Sequence, residues 1–201
     1  MQHNRRANVN IVVSVAVANY EKLEIPNIIK IFEGVSDFQG VFLFLHQIIQ
    51  YTEDKDIYFK YIQAAAKCGR YQEIEDVIKG SEFYDPIRVK DFFIKEFQLA
   101  DLKPLIILCD MHDFVEELIQ YLHNNNKTEL INLYIFKVSP KFSPKVLGTL
   151  IDLEADEKYL KQLLFNLGGN CPIAEIVLEF EKRNKLRTLE SWLELRRQEG
   201  N

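Results

Sequence analysis

The chain has 201 residues, of which 47% are hydrophobic and 27% charged, and its formal net charge at pH 7 is −5. This much apolar material excludes an intrinsically disordered chain, and eight glycines and six prolines are too few for collagen, low-complexity linkers or turn-dense all-β folds. The mild acidity removes the simplest case for nucleic-acid binding, which usually needs a basic surface, so we expect no nucleic-acid partner.

Apolar residues recur with a helical period between short polar turns, and no convincing strand alternation survives. The pattern predicts an all-α fold of thirteen short helices. In chain order they cover residues 8–21, 25–33, 37–51, 57–68, 71–79, 86–97, 103–110, 114–124, 127–137, 144–152, 157–167, 172–183 and 186–198.

The first predicted helix has an alternative interpretation. An amphipathic helix is favoured because one face collects the following residues: Val9, Val12, Val13, Ala16, Tyr20 and Leu23. Arg5 and Arg6, followed by a short apolar run that ends in Ala16-Val17-Ala18, also form a crude signal-peptide pattern. The sequon at Asn126 would matter only in a secreted chain, and a polar inter-helix loop is the preferred interpretation there.

Several predicted helix ends carry a capping signal. An oxygen-bearing side chain before a helix can accept a backbone N–H, and proline costs little at the first helical position. The predicted N-caps are Asp85 before Pro86, Ser143 before Pro144, and Asp113 before Phe114. Gly168-Gly169 is predicted to supply the positive φ of a helix C-terminus, after which Pro172 begins the next helix.

Short helices joined by loops of about two to six residues are most simply antiparallel neighbours. Many are apolar on more than one face: Val41, Leu45 and Ile48 form one stripe, while Leu43 and Phe44 lie off it. Helices contacted on two sides suit stacked hairpins, so the sequence predicts one α-solenoid segment over residues 1–201. Residues 1–7 are expected to be either disordered or a segment that was added to the natural sequence.

Two hairpins stand out, one with Phe59, Ile62, Ala66, Gly69 and Tyr71 and another with Leu105, Cys109 and Phe114. The predicted core residues are Phe59, Ile62, Leu105, Phe114, Leu118 and Trp192, and each change to alanine should cost roughly 2–5 kcal/mol.

Residues that could support chemistry are sparse. Cys109 and His112 could be a nucleophile and its base, but close neighbours on a helix or tight turn point in different directions, so an inter-helix turn is preferred. His46 and His123 are isolated and are interpreted as packing or surface residues. The sequence shows no nucleotide-binding, nucleophile-elbow or zincin motif, and we predict no catalytic residue, metal ligand or cofactor.

The charged clusters are likewise better explained by structural roles, such as helix capping and ion pairing, than by ligand binding. Asp152, Glu154, Asp156 and Glu157 have some calcium-loop character, but glycine and glutamate are missing where that loop requires them. A polar loop with helix-starting acids is preferred. The basic residues interleave with glutamates and predict an ion-paired helix surface, with a rim contact for an acidic partner as the alternative. They are Lys182, Arg183, Lys185, Arg187, Arg196 and Arg197. Cys68, Cys109 and Cys171 are predicted to be free thiols in a reducing compartment.

Ordered sequence strings along most of the chain resemble the α-helical leg of the clathrin heavy chain. They are Phe59-Lys60-Tyr61-Ile62-Gln63-Ala64-Ala65, Tyr84-Asp85-Pro86-x-Arg88-Val89-Lys90-x-Phe92, Pro104-Leu105-Ile106-Ile107-x-Cys109-Asp110, Asp113-Phe114-Val115, Glu181-Lys182-Arg183-Asn184, Trp192-Leu193-Glu194 and Glu199-Gly200. Each string alone is weak evidence for the clathrin heavy chain family. The whole set, in the same order along the chain, is much stronger evidence and indicates a divergent member of that family.

The resemblance implies a right-handed α-solenoid from the ankle and distal part of the leg, as a fragment of a longer chain. It implies a structural coat protein that helps to assemble a polyhedral lattice on coated pits and vesicles, in endocytosis and intracellular traffic. Its partners would be other heavy-chain legs. Light chains and adaptors would bind through regions outside this segment, and membrane contact would be indirect, through adaptors. The expected location is the cytosolic face of coated membranes.

Two other function classes remain open at this point. One is a protein- or peptide-binding α-solenoid scaffold of another trafficking complex, which a groove lined by exposed aromatic side chains would favour. The other is an all-α enzyme, which would need a polar cleft with convergent titratable groups, for example around Cys109 and His112. The resemblance offers no catalytic residue to transfer, so we predict that the chain is not an enzyme.

Overall fold

Helices make up all the regular secondary structure in residues 2–167 and 171–198, the ranges that the computed structural model describes. In these ranges the α-helices are α1 (Gln2–Ala18), α2 (Tyr20–Leu23), α3 (Ile25–Gly34), α4 (Phe38–Ile48), α5 (Lys55–Lys67), α6 (Tyr71–Gly80), α7 (Pro86–Asp91), α8 (Lys103–Met111), α9 (Val115–Asn124), α10 (Thr128–Leu133), α11 (Ser143–Asp152), α12 (Glu157–Asn166), α13 (Ile173–Lys182) and α14 (Glu190–Gln198). The all-α prediction is confirmed. The predictions for Gly168-Gly169 and Glu199-Gly200 lie outside the described residues, and the prediction for residues 1–7 stays a prediction.

Short segments of tighter or wider helix extend several of these elements. Three-residue or four-residue 3₁₀ turns cover Ile49–Tyr51, Pro140–Phe142 and Leu186–Leu189. Wider π-helical turns, Phe92–Glu96 and Tyr134–Val138, continue α7 and α10. The predicted helices 86–97 and 127–137 are therefore each an α-helix that ends in a π turn.

The first helix differs most from its prediction. It begins at Gln2 and ends at Ala18, and the short α2 follows. Val13 and Ala16 are buried, and α1 packs against α4, whereas Val12 is 51% exposed and Leu23 is 47% exposed. The predicted apolar face is therefore wrong in part, because the helix contacts its neighbour through a narrower stripe.

The chain divides into two units, residues 1–108 and 109–201. In the first unit, α4 packs against α1, α3 and α5, which explains why Phe44, lying off its main apolar stripe, is also fully buried. Gly40 permits this crowding, because a Cβ atom there would lie 2.5 Å from Cδ1 of Phe32. The hairpin predicted from Phe59 to Tyr71 is confirmed as α5, a turn at Gly69, and α6.

In the second unit, alternate helices along the chain are neighbours in space. Helix α11 packs against both α9 and α13, while α12 packs against α14 and the 3₁₀ turn before it. Leu118, Leu147 and Phe180 are fully buried in α9, α11 and α13. Helix α11 therefore contacts the equivalent helix of the preceding hairpin and that of the following one, as predicted for stacked hairpins.

Six inter-helix turns share one backbone geometry. Each contains one residue in the left-handed region, with φ between 55° and 68°: Ser36, Gly69, Asp113, Asn126, Glu154 and Asn184. The next residue donates its N–H to the carbonyl five positions earlier, as in Arg70 to Ala65 at 2.8 Å, which is the Schellman arrangement. Five of the six turns use a residue other than glycine, so glycine spacing could not reveal the repeat.

The capping predictions had mixed outcomes. Asp85 is confirmed, since Oδ1 accepts from the N–H groups of Ile87 at 3.0 Å and Arg88 at 3.2 Å. Asp113 is wrong as an N-cap, because it is the left-handed residue of the α8–α9 turn. Ser143 is also wrong: the preceding 3₁₀ turn gives it helical backbone angles of −52° and −39°, so it lies inside α11 rather than at an extended N-cap position.

The core prediction is confirmed at five positions, where the side chains of Phe59, Ile62, Leu105, Leu118 and Trp192 are buried. It is wrong at Phe114, which is only half-buried. Phe114 lies at the N-cap position of α9, where its ring stacks on His112 with 6.0 Å between centroids. A residue at a helix start on a turn has fewer neighbours than one in the helix interior.

Candidate functional surface

The group around Cys109 is structural rather than catalytic. The Cys109 side chain is 0% exposed, so a substrate could not reach its thiol. The adjacent Asp110 accepts hydrogen bonds from the hydroxyl of Tyr134, at 2.9 Å, and from that of Ser139. Burial, and then Asp110, raise the pKa of Tyr134 far above its usual range, so its hydroxyl stays a donor. This cluster fixes the π turn of α10 to the end of α8.

The acidic loop has a structural partner or position for each of its four carboxylates. Asp152 accepts a hydrogen bond from Arg183, and Glu154 is a left-handed turn residue. Asp156 caps α12 by accepting the N–H groups of Lys158 and Tyr159. Glu157 forms an ion pair with Lys161 at 2.8 Å. No group of three metal-binding side chains occurs within residues 2–167 and 171–198. The prediction of helix-starting acids is confirmed for Asp156 and Glu157.

The two isolated histidines occupy different surroundings. His46 is exposed on α4, and its Nδ1 atom lies 3.0 Å from the hydroxyl of Tyr61. Burial, with smaller effects of Glu73 and Asp76, raises the pKa of Tyr61 to about 12. That hydroxyl therefore stays protonated at physiological pH and can donate a hydrogen bond to the His46 ring. His123 is half-buried in the last turn of α9.

The basic residues near the C-terminus form ion pairs, as predicted, at two positions. Lys182 binds Glu179 at 2.6 Å, and Arg183 contacts both oxygens of Asp152 at 2.7 Å as well as Glu179 at 2.6 Å. Lys185 and Arg187 are exposed, whereas Arg196 is buried. Arg183 therefore connects the end of α13 to the end of α11, while Lys182 is paired within α13.

Ion pairs between successive hairpins reveal a repeat that the sequence hides. In six of those that the described residues form, the acid precedes the base by 27 to 32 residues. They are Glu33 with Lys60, Asp56 with Arg88, Glu75 with Lys103, Asp113 with Lys145, Glu116 with Lys145, and Asp152 with Arg183. The hydrogen bond from Tyr159 to Asn132 has a similar separation of 27 residues. These contacts set a structural period of about 30 residues, the length of two short helices and their turns.

The Arg183 contacts should give folding a measurable pH dependence. Hydrogen bonding to Arg183 lowers the pKa of Asp152, and hydrogen bonding to Lys182 and Arg183 lowers that of Glu179. Since both folded pKa values lie below the unfolded ones, the stabilisation is present above about pH 5 and is lost as the pH falls through the depressed values.

We therefore expect Arg183→Gln to lower the free energy of unfolding by about 1 kcal/mol at pH 7, a modest loss because Asp152 is exposed. Urea unfolding should show this difference shrinking towards pH 3. Lys158→Gln, on the exposed surface of α12, is the control and should have the same small effect at both pH values. A loss from Arg183→Gln that does not vary with pH would contradict the ion-pair account.

Two surface grooves of about 530 Å³ each lie beside left-handed turns. Groove A, in the first unit, is bounded by the α3–α4 turn, residues 36–39, and the α5–α6 turn, residues 67–70. Groove B, in the second unit, is bounded by residues 151–157 and by residues 183–188. The two grooves therefore occupy equivalent places, each between the turns of two successive hairpins.

All three cysteines are free thiols, as predicted, with Cys109 buried and the other two half-buried. Burial raises the pKa values of Cys68 and Cys171, which keeps both thiols protonated near neutral pH. Within the part of the chain that the structure describes, no helix has the length and apolar character needed to cross a membrane.

Comparison with known proteins identifies relatives along the whole chain. The family model for the region in clathrin and VPS proteins matches residues 17–158. The chain is 38% identical over 201 residues to the clathrin heavy chain of Dictyostelium discoideum, 42% over 197 residues to that of Drosophila melanogaster, and 41% over 197 residues to clathrin heavy chain 2 of Homo sapiens. These alignments cover 98–100% of the chain but only 12% of each relative.

The fold agrees with these matches, since the described ranges are all-α and consist of stacked helical hairpins. The family match spans both units and includes the hairpins around Gly69, Asp113 and Asn126. The chain belongs to the clathrin heavy chain family, and its fold is the α-solenoid of the clathrin repeat.

Proposed function

We propose that the chain is a structural segment of a clathrin coat: part of a heavy-chain leg that contributes to a polyhedral lattice on coated vesicles in endocytosis and intracellular transport. The observation that carries this proposal is identity of about 40% over essentially the whole chain to clathrin heavy chains of several species. The assignment to the ankle and distal part of the leg and the right-handed sense of the solenoid belong to this proposal.

The contacts between hairpins support a mechanical role. Within each unit, successive hairpins are joined by an apolar core and by ion pairs such as Asp152 with Arg183, at a period of about 30 residues. A stack of this kind resists bending through many short-range contacts. Lattice contacts along such a leg can be individually weak, because many of them act together.

The proposed partners follow from the family. They are other heavy-chain legs in the lattice, with light chains and adaptors bound by other regions of the full protein and the membrane reached through adaptors. The proposed location is the cytosolic face of coated pits and vesicles. No catalytic role is proposed, because the densest group of reactive residue types, around Cys109, is engaged in buried structural contacts. The comparisons do not favour the alternative of a scaffold in another trafficking complex.

A segment exchange tests the proposal. The chain replaces the aligned segment of the Dictyostelium discoideum clathrin heavy chain, which it matches along all 201 residues. We expect the purified chimera to assemble into polyhedral cages, seen by electron microscopy and sedimentation, with a yield close to that of the parent. The same chimera carrying Ile62→Ala, a fully buried position, is the destabilised control. A chimera that is fully helical and protease-resistant but forms no cages would contradict the proposal.

A further inference from the structure

We propose that groove A binds an acidic linear peptide segment of another protein. The inference goes beyond the coat role and does not depend on it, since it rests on the side chains of one groove. Its floor and walls include the aromatic rings of Phe38 and Phe42, and its rim carries Lys67 and Arg70. A volume of about 530 Å³ falls in the range of sites that hold small ligands or a few peptide residues.

The two cations of groove A are positioned by aromatic rings rather than by carboxylates. The Lys67 Nζ atom lies 3.8 Å from the centroid of the Phe38 ring, and the Arg70 guanidinium carbon lies 5.9 Å from that of Phe42. Both side chains are exposed, and neither has a carboxylate within ion-pair distance among the residues that the structure describes. Ring contacts of this kind hold the charge in place while leaving its hydrogen-bond donors available.

The remaining charge in groove A does not cancel these cations. Its one carboxylate, Asp37, caps α4 by accepting the N–H of Gly40 at 2.9 Å. Glu73 and Asp76, on the adjoining helix α6, act on Tyr61 and are not among the residues that line the groove. Groove A therefore has two cations against one carboxylate, and that carboxylate is already engaged.

Groove B supplies an internal comparison. It has the same volume and the equivalent place between two turns, but its charged residues are three acids and two bases: Asp152, Glu154, Glu157, Arg183 and Lys185. Arg183 is held by Asp152 and Glu179, and the hydrogen bond from Lys161, with a smaller effect of the Lys185 charge, lowers the pKa of Glu157. The bases of groove B thus face an excess of acids, whereas groove A keeps positive charge available for a partner beside the half-buried side chains of Phe38 and Leu43.

The chemistry of groove A favours one kind of occupant. Carboxylates would pair with Lys67 and Arg70, and an apolar side chain beside them would contact the half-buried side chains of Phe38 and Leu43. A nucleic acid or an anionic membrane needs a broad basic surface, whereas this chain has a net charge of −5. A short acidic and apolar peptide fits both the local charge and the size of the groove.

The test measures fluorescence anisotropy with a labelled octapeptide of alternating glutamate and leucine, and with the same peptide carrying glutamine for glutamate. We expect the acidic peptide to bind, the glutamine peptide to bind at least about tenfold more weakly, and affinity to fall between about 50 and 300 mM NaCl. Lys67→Gln with Arg70→Gln should weaken the acidic peptide at least about tenfold. The matched control, Lys185→Gln with Arg187→Gln, removes the same charge near groove B and should leave binding unchanged.

Amide chemical-shift changes on titration should cluster in residues 36–39 and 67–70, the two turns of groove A. The proposal fails if the peptide does not bind at about 1 mM protein, or if the two double variants weaken it equally. It also fails if heparin or phosphatidylserine vesicles bind through Lys67 and Arg70 while the peptide does not, since the occupant would then be another polyanion. Self-association that is lost in Lys67→Gln with Arg70→Gln would make the occupant a second copy and would likewise overturn it.

Discussion

Replacing Asp110 with alanine is expected to lower the free energy of unfolding by about 2–5 kcal/mol. The change leaves two hydroxyl groups without their acceptor, that of Tyr134, which is 0% exposed, and that of Ser139, which is 5% exposed. A buried donor that loses its partner costs more than the hydrogen bond contributed, because water cannot replace the acceptor. Urea unfolding followed by far-ultraviolet circular dichroism measures the loss.

Two companion variants separate this explanation from a general effect of removing an acid. Asp113→Asn removes a carboxylate three residues away that is exposed and pairs with Lys145 at 3.1 Å. Because asparagine tolerates the left-handed backbone of this turn as aspartate does, the change should cost no more than about 1 kcal/mol. In the second, Tyr134→Phe and Ser139→Ala accompany Asp110→Ala, which removes the donors together with the acceptor. This triple variant should recover much of the stability. If it is no more stable than Asp110→Ala alone, the stranded hydroxyls are not the cause.

The helices were predictable because their signals are local. A helical apolar period, together with Asp85 before Pro86, predicts the start of α7 as the structure has it. The burial of Phe44 beside the main stripe of α4 followed from helices contacted on two sides. Signals of this kind act within one or two turns of helix, so neighbouring residues in the sequence suffice to detect them.

The turns and the links between hairpins were not predictable in the same way. Ser36 and Glu154 adopt the left-handed conformation that glycine signals in a sequence, and neither residue type announces it. The ion pairs join residues 27 to 32 positions apart and use different residue types at each step, as in Glu33 with Lys60 and Asp152 with Arg183. A repeat defined by contacts rather than by identical residues becomes visible only in three dimensions.

The same limit applies to the functional surface. The inter-helix turn predicted around Cys109 and His112 is correct for His112 and Asp113, whereas Cys109 and Asp110 lie in the last turn of α8. The hydrogen bonds of Asp110 reach residues 24 and 29 positions away. Groove A likewise combines two turns separated by about 30 residues of chain. Its cations, Lys67 and Arg70, lie over the rings of Phe38 and Phe42, about 30 residues earlier in the chain, and no local signal in the sequence indicates these contacts.

Replacing Phe180 with alanine is expected to destabilise the second unit by about 3–5 kcal/mol. The ring is 0% exposed in α13, which packs against α11, so its removal combines lost apolar burial with a cavity that the surrounding helices can fill only in part. Helix α13 should still end at the same residue in the variant. The hydrogen bond from the Lys185 N–H to the Phe180 carbonyl, 2.9 Å long, joins backbone atoms and does not depend on the side chain at position 180. The helix end is therefore kept while the core contact is lost.

Leu178 supplies the matched control, since it lies two residues earlier on α13 and is 51% exposed. Leu178→Ala should change the free energy of unfolding by less than about 0.5 kcal/mol. Phe180→Leu, which keeps most of the buried volume, should lose no more than about 1.5 kcal/mol. Urea unfolding of the three variants measures this order, and hydrogen exchange of amides in α11 and α13 shows whether the loss is local to the second unit. Equal losses at positions 178 and 180 would mean that α13 does not use the face containing Phe180 to join successive hairpins.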